Sequence, residues 1–143
     1  MATLKVEIVT PESALWVGEA SALIARSSDG GFTILPQHTE TVGDITPGVV
    51  RVETIEGEIS FVVHGGFFQV GPDDVEGVTL ATVLAGVAER TNEIDVARAQ
   101  AAKETAEALM AEATRAEQHD AASYLLAQAA LERAELRMRA ATK

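Results

Sequence analysis

The sequence predicts an all-β sandwich followed by an α-helical hairpin, with the β and α parts segregated along the chain. Three observations carry this prediction. Apolar side chains alternate with a period of two up to about residue 88, glycine and proline are absent from residue 91 onward, and a polar break at 117–120 divides the second part. We therefore expect an antiparallel β-sandwich over residues 1–88 and a two-helix hairpin over residues 89–143.

The β part consists of short apolar runs separated by turn residues, a pattern typical of antiparallel sandwiches and barrels. The predicted strands lie within Leu4–Ile8, Ala20–Ala25, Phe32–Leu35, Val50–Val52, Ile59–Val63 and Val78–Leu84. Glu56-Gly57 indicates a hairpin between two of them. Gly65-Gly66 interrupts an apolar run, which predicts a close backbone approach where the chain bends around a sandwich corner.

The α part is rich in Ala, Glu, Lys and Arg, which favours helix. Asn92 is the predicted N-cap of the first helix, and Asp120 that of the second. In the second helix Tyr124, Leu131 and Met138 lie seven apart, with Ala127, Ala134 and Ala141 between them, as in a heptad seam. An alanine seam buries little area, so the helical hairpin is either permanently docked or held weakly enough to act as a switch.

The charge distribution excludes some partners. The net charge of −11 argues against nucleic acid. Residues 1–88 carry three basic and twelve acidic side chains, whereas residues 131–143 are locally basic through Arg133, Arg137, Arg139 and Lys143. This basic tip is either a solvated helix end or a contact for an acidic surface. No cysteine, signal peptide or apolar stretch of ~18 residues is present, so we expect no disulfide and no membrane insertion.

No catalytic or metal-binding constellation is recognisable. His38, His64 and His119 are scattered, and the acidic pair Asp73-Asp74 lies in a predicted turn. A hydrolase using carboxylates of the acidic half therefore lacks a readable geometry. Asp95 and Arg98 share one helix face, either as an intrahelical ion pair or as a small polar clamp for a nucleotide.

Six segments in order resemble the epsilon subunit family of bacterial F-type ATP synthases. They are LKVEIVTPE (Leu4–Glu12), ILPQH (Ile34–His38), ITPGVVRV (Ile45–Val52), HGGFFQV (His64–Val70), VLAGVAER (Val83–Arg90) with EIDVARA (Glu93–Ala99), and the tail from Ser123 to Arg137. The resemblance covers essentially the whole chain. Gln37, Thr39, Glu40 and Gln69 depart from the family pattern, and 71–77 is longer than its usual turn.

The resemblance implies a non-catalytic rotor-stalk subunit that couples the proton-driven ring of c subunits to the catalytic head and inhibits ATP hydrolysis through its helical hairpin. The implied partners are the gamma subunit, the polar loops of the c-ring, and the alpha and beta catalytic subunits. The implied location is peripheral, at the cytoplasmic face of the cell membrane. The alternative is a stand-alone module that binds ATP through its hairpin.

The resemblance also assigns residues to surfaces. It implies that Asp29, Gly31, Pro36 and His38 face the c-ring and that Arg133, Arg137 and Arg139 face the catalytic head. No cofactor is required. A regulatory ATP site would use Glu89, Asp95, Arg98, Arg133 and Arg137. Thr105 stands where the family has a further arginine, and losing a charge-assisted contact costs ~1.5–3 kcal/mol, so the ATP site is expected to be weak.

Overall fold

A computed structural model describes residues 2–115 and 121–141 and divides into two compact units, 1–90 and 91–143. It confirms a β-sandwich followed by a helical hairpin. The last strand, Ala88–Arg90, runs across the expected boundary at residue 88, so the β unit reaches Arg90.

The β unit contains ten strands within the described residues. They are β1 (Thr3–Val9), β2 (Ala14–Ala20), β3 (Ala22–Ser27), β4 (Gly30–Ile34), β5 (Thr41–Ile45), β6 (Gly48–Thr54), β7 (Gly57–Val63), β8 (Gly66–Pro72), β9 (Val78–Ala85) and β10 (Ala88–Arg90). The first sheet has the order β2-β1-β9-β8-β5, and the second has the order β10-β7-β6-β3-β4. Strands β4 and β5 are therefore edges of the two sheets.

Strand direction departs from the antiparallel expectation at one pair. Strand β1 runs parallel to β9, with Leu4 beside Thr79 and Ile8 beside Val83, whereas the other strand pairs are antiparallel. The expectation of an antiparallel sandwich therefore fails at β1 and β9 and holds for the other strand pairs of the described residues. A long connection of seven strands separates β1 from β9, so no short turn forces them to run in opposite directions.

The core lies between the two sheets and follows the predicted alternation. Leu4, Val6 and Ile8 are fully buried on β1, while the residues between them are partly exposed. The second sheet contributes Leu23, Val50, Val52 and Phe61 from the facing side. Because aromatic side chains are few, branched aliphatic residues fill most of this core.

The predicted bend at Gly65-Gly66 is confirmed. His64 and Gly65 connect β7 in the second sheet to β8 in the first, and Gly65 has φ of +98°. A Cβ on Gly66 would meet the carbonyl oxygen of Leu84. Gly66 thus allows β8 to leave this corner directly against β9.

The helical unit contains a 3₁₀ turn (Thr91–Glu93), α1 (Val96–Arg115) and α2 (Ala121–Ala141). Asn92 lies in the 3₁₀ turn, so its prediction as the N-cap was wrong. Asp95 caps α1 instead, because its Oδ1 accepts a hydrogen bond from the backbone N–H of Arg98 at 3.0 Å. The predicted cap Asp120 lies outside the described residues.

The helices meet along alanines. Ala99, Ala106 and Ala113 are buried at seven-residue intervals on α1, and Ala127 and Ala134 are buried on α2. Tyr124 is exposed, and Leu131 and Met138 are only half-buried, so the larger members of the predicted seam lie at its margin. Small side chains at the contact let the helix backbones approach closely, but each buries little apolar surface.

Candidate docking surfaces and nucleotide site

An apolar surface lies on the outer face of the first sheet. Phe68, Val70 and Val83 point into the core, so the alternate residues of the same strands point outward. Val42, Phe67 and Leu84 are 73%, 65% and 47% exposed there. Phe67 pairs directly with Leu84 across β8 and β9. We call these three residues the outer apolar face.

A shallow depression continues the outer apolar face toward the other end of the sheet. Its lining residues are Glu40, Thr41, Val42, Gln69, Val70, Gly71, Pro72, Leu80 and Thr82. The surface thus mixes exposed apolar groups with a few polar ones. Exposed apolar groups that form a continuous patch mark interaction sites more often than single ones do.

Two of the four residues assigned to the c-ring lie at the β3–β4 hairpin. Asp29 is exposed in its turn, and Gly31 is exposed as the second residue of β4. Asp44 on β5 reaches the turn from the other sheet, because its two carboxylate oxygens accept hydrogen bonds from the N–H and the Oγ–H of Ser28, each at 2.9 Å. These bonds, the backbone one first, hold the pKa of Asp44 below its usual value of 3.8.

Pro36 and His38, the other two residues assigned to the c-ring, lie in the β4–β5 turn. The backbone N–H of His38 bonds to the carbonyl oxygen of Leu35 at 3.1 Å, and Gln37 has φ of +69°. With Pro36 at its second position this is a type II turn. The N–H of Gln37 also donates to the buried Thr79 Oγ1 at 2.8 Å, which ties the turn to β9.

The structure does not bring these four residues together. Asp29 and Leu35 flank the five residues of β4, and six steps of about 3.3 Å place the two turns roughly 20 Å apart, at opposite ends of this strand. The segment that reads as one loop in the sequence is a turn, a strand and a second turn. A flat partner surface that contacts one end of the sandwich can therefore reach either Asp29 and Gly31 or Pro36 and His38, but not both pairs.

The residues assigned to ATP divide between the two units. Glu89 lies on β10, where it pairs with Val62, and the others belong to the helical unit. Arg98 and Arg133 are exposed, and Arg137 is half-buried one turn beyond Arg133. The carboxylate of Asp95 serves as the α1 cap, a role that neither of the two sequence interpretations included.

The register of the helical hairpin separates Arg98 from the other arginines along its axis. Lys103 on α1 shares a small depression with Glu135, Met138 and Arg139 on α2. Since the helices run antiparallel, Arg98 lies about 7 Å along the axis from the level of Arg137 and about 13 Å from that of Arg133. Arg133 and Arg137 form the closer pair.

A metal site, a role for the acidic pair Asp73-Asp74 and a membrane-spanning helix are not indicated by the described part of the chain. Within residues 2–115 and 121–141, no group of three or more His, Asp or Glu side chains is placed to hold a metal ion. The carboxylate of Asp73 makes a local hydrogen bond, in which its Oδ2 accepts from the backbone N–H of Val75 at 3.4 Å. No helix among these residues combines the length and apolar character needed to cross a membrane.

A sandwich with an exposed apolar face, followed by a helical hairpin whose buried seam consists mainly of alanines, defines a small subunit suited to assembly. Residues 3–91 match the family described as "ATP synthase, Delta/Epsilon chain, beta-sandwich domain", and residues 92–142 match its "long alpha-helix domain". The chain belongs to the epsilon subunit family of F-type ATP synthases.

Individual relatives agree with the family match. The chain is 45% identical to the ATP synthase epsilon chain of Desulforudis audaxviator over 111 residues, which is 77% of this chain and 76% of the relative. It is 40% identical to that of Alkalihalophilus pseudofirmus over 107 residues, 75% and 76% of the two chains. Its fold is similar to a chain in the Euglena gracilis mitochondrial ATP synthase, with a TM-score of 0.77, 23% identity, and coverage of 100% and 83%.

Proposed function

We propose that this chain is a non-catalytic rotor subunit of the central stalk, which couples the c-ring to the catalytic head during ATP synthesis. It would be bound peripherally at the cytoplasmic face of the membrane as part of the synthase. Membership of the epsilon family supports the proposal. The observation that carries it is the outer apolar face, because a surface with Phe67 65% exposed indicates a protein that works bound to a partner.

The outer apolar face is the surface that we assign to the gamma subunit. It spans β5, β8 and β9, with Phe67 opposite Leu84 and Val42 diagonal to Phe67, and its aromatic and aliphatic side chains have the character of interface cores. Phe67→Glu is expected to weaken binding of the isolated subunit to gamma by tenfold or more, since a charge would be buried without a partner. Isothermal titration with purified gamma subunit measures the effect.

Ile55→Glu is the matched control for Phe67→Glu. Ile55 is fully exposed in the β6–β7 turn, at the end of the sandwich far from Phe67. The same change of charge and size there should leave gamma binding unaltered. Equal binding by the Phe67→Glu and wild-type chains would remove the outer apolar face from the gamma interface.

We assign the β3–β4 turn to the c-ring in preference to the β4–β5 turn. Ser28 and Asp29 are exposed in the β3–β4 turn, and a side chain at Gly31 would meet only the carbonyl oxygen of Ala25, at 3.9 Å. Gly31→Trp should therefore fold normally yet obstruct close contact with the ring loops. Uncoupling by Gly31→Trp but not by His38→Trp is expected in proton-pumping assays, and the reverse pattern would assign the opposite end.

The helical hairpin is proposed to inhibit ATP hydrolysis by extending into the catalytic head. Its alanine seam supports a marginal folded state, and Arg133, Arg137 and Arg139 give α2 a basic tip that suits an acidic segment of the alpha and beta subunits. Arg133→Ala combined with Arg137→Ala should relieve inhibition in the assembled enzyme. Unchanged inhibition would exclude an electrostatic role for these two arginines, and the helical hairpin would then inhibit only by steric obstruction.

A weak regulatory ATP site is proposed on the helical unit, at Asp95, Arg98, Arg133 and Arg137, whereas Glu89, which was assigned with them, lies on β10 of the other unit. The cationic pair Arg133 and Arg137 suits phosphate oxygens. Thr105 supplies no further cation, and the Asp95 carboxylate already caps α1, so we expect low affinity. Calorimetric titration of the isolated subunit with ATP measures it, and tight binding would contradict this estimate.

A further inference from the structure

Asp44 joins two surfaces that belong to different sheets. On one side its carboxylate binds the N–H and hydroxyl of Ser28 in the β3–β4 turn of the second sheet. On the other side it sits on β5 of the first sheet, directly opposite Phe67. One side chain thus connects the turn that carries Asp29 to the margin of the outer apolar face.

A second link runs beside the first. The N–H and the Oγ–H of Thr46 both bond to the carbonyl oxygen of Arg26, at 2.9 Å and 3.2 Å. This link ends at Arg26, before the turn begins, so it anchors strand β3 rather than the turn. Ser28 is held to the first sheet by Asp44.

The β3–β4 hairpin needs such a support. Strand β4 is an edge strand, hydrogen-bonded to β3 on one side, and Gly30 and Gly31 follow the turn without side chains that could pack. The turn's own contacts are local, from Ser27 Oγ–H to the carbonyl oxygen of Gly30 at 3.3 Å and from the Asp29 N–H to Ser27 Oγ at 3.2 Å. Local contacts fix the shape of a turn but not its position relative to the other sheet.

We propose that Asp44 is a positioning residue that holds the ring-facing β3–β4 turn in a fixed relation to the gamma-facing outer apolar face. The inference rests on the proposed function, since it assumes those two docking surfaces. A rotor subunit that passes torque between two partners gains from a rigid connection between its contact surfaces. A carboxylate with two oxygens suits this role, because it accepts two hydrogen bonds from one residue and so fixes direction as well as distance.

The test uses three variants and one control, each in the assembled synthase and as an isolated subunit. Asp44→Ala removes both bonds, and Ser28→Ala removes one. Asp44→Asn retains one acceptor oxygen for the Ser28 N–H and an amide that can donate to Ser28 Oγ, so it serves as the conservative rescue. Glu53→Ala, which removes an exposed carboxylate from β6, is the matched control.

Two measurements are needed. Hydrogen exchange at the Ser28 amide reports the turn directly, and losing its bonds should accelerate exchange by roughly 2- to 10-fold. Proton pumping per ATP hydrolysed reports coupling. We expect Asp44→Ala to raise exchange and lower coupling, Ser28→Ala to do so less, and Asp44→Asn and Glu53→Ala to behave as wild type.

Three results would overturn the inference, and they separate it from the proposed function. Unchanged exchange in Asp44→Ala would show that Asp44 does not hold the turn. Faster exchange with unchanged coupling, while Gly31→Trp uncouples, would remove the positioning role and leave ring docking intact. Unchanged coupling in both Asp44→Ala and Gly31→Trp would overturn the ring assignment itself.

Discussion

Gln37 occupies a backbone conformation that normally belongs to glycine. Its φ of +69° is imposed by the type II turn after Pro36, and the bond from its N–H to Thr79 Oγ1 holds it there. A side chain in this region costs about 1–2 kcal/mol. The chain therefore retains local strain at a turn whose second central position favours glycine.

Gln37→Gly should stabilise the isolated subunit by about 0.5–1 kcal/mol, which is the relieved strain less the greater backbone entropy of glycine in the unfolded chain. Chemical denaturation of the subunit measures the free energy of unfolding. Gln37→Ala is the control, because alanine keeps the Cβ responsible for the strain. A glycine variant no more stable than the alanine variant would contradict this explanation.

Asp44 predicts a specific response to pH. Its folded pKa lies below the ordinary value of 3.8 because Ser28 bonds to the ionised form. A depressed pKa stabilises the fold above the unfolded pKa, and that contribution is lost as the pH falls through the folded value. Between pH 7 and 5 the Asp44→Asn variant should track wild type, and below about pH 4 it should lose less stability. Parallel loss in both chains at acid pH would contradict the assignment.

At the scale of elements, the two helices of the hairpin contact each other through small side chains, so the contact has no room for larger ones. Alanines on both helices form its buried seam, and most of the larger apolar side chains of α1 and α2 are exposed or half-buried. Substitution by a larger residue at the seam must separate the helices, whereas the same substitution on the exposed side need not. The hairpin is thus the part of the chain best suited to an open and closed equilibrium.

Ala106→Leu should destabilise the closed hairpin by about 1–3 kcal/mol through overpacking. Ala102→Leu provides the matched control, since Ala102 is exposed on the same helix. Hydrogen exchange along α1 in the two variants distinguishes them. Similar exchange in both would mean that Ala106 is not at a tight helix contact.

At the scale of the whole molecule, the sequence predicts those features that depend on residues close together in the chain. It does not predict those that depend on residues far apart in the chain. The alternation at Leu4, Val6 and Ile8 and the turn at Gly57 depend on near neighbours, and both are confirmed. The strands β2 and β5 were missed because Gly18 and Gly43 interrupt their apolar pattern, and β10 was missed because three residues are too few to show a period. The parallel direction of β1 and β9 depends on the complete sheet, which no local pattern encodes.

The candidate site residues show the same limit. The motif around Ile34–His38 marked a real turn, but its distance from Asp29 could not be read without knowing that β4 lies between. Asp44 carried no sequence signal, because its partner Ser28 is sixteen residues away and belongs to the other sheet. The role of Asp95 as a helix cap was missed because the preceding 3₁₀ turn shifts the start of α1 past Asn92.

The central claim is that the sandwich couples and the helical hairpin regulates. It is tested most directly by measuring ATP hydrolysis and proton pumping of the parent synthase reconstituted without this chain, with the full chain, and with a chain ending at Arg90. Both forms of the chain should restore pumping per ATP hydrolysed, and the shorter one should give faster hydrolysis because it lacks α1 and α2. Equal pumping per ATP with and without the chain would contradict the coupling role, and equal hydrolysis with the two forms would contradict the regulatory one.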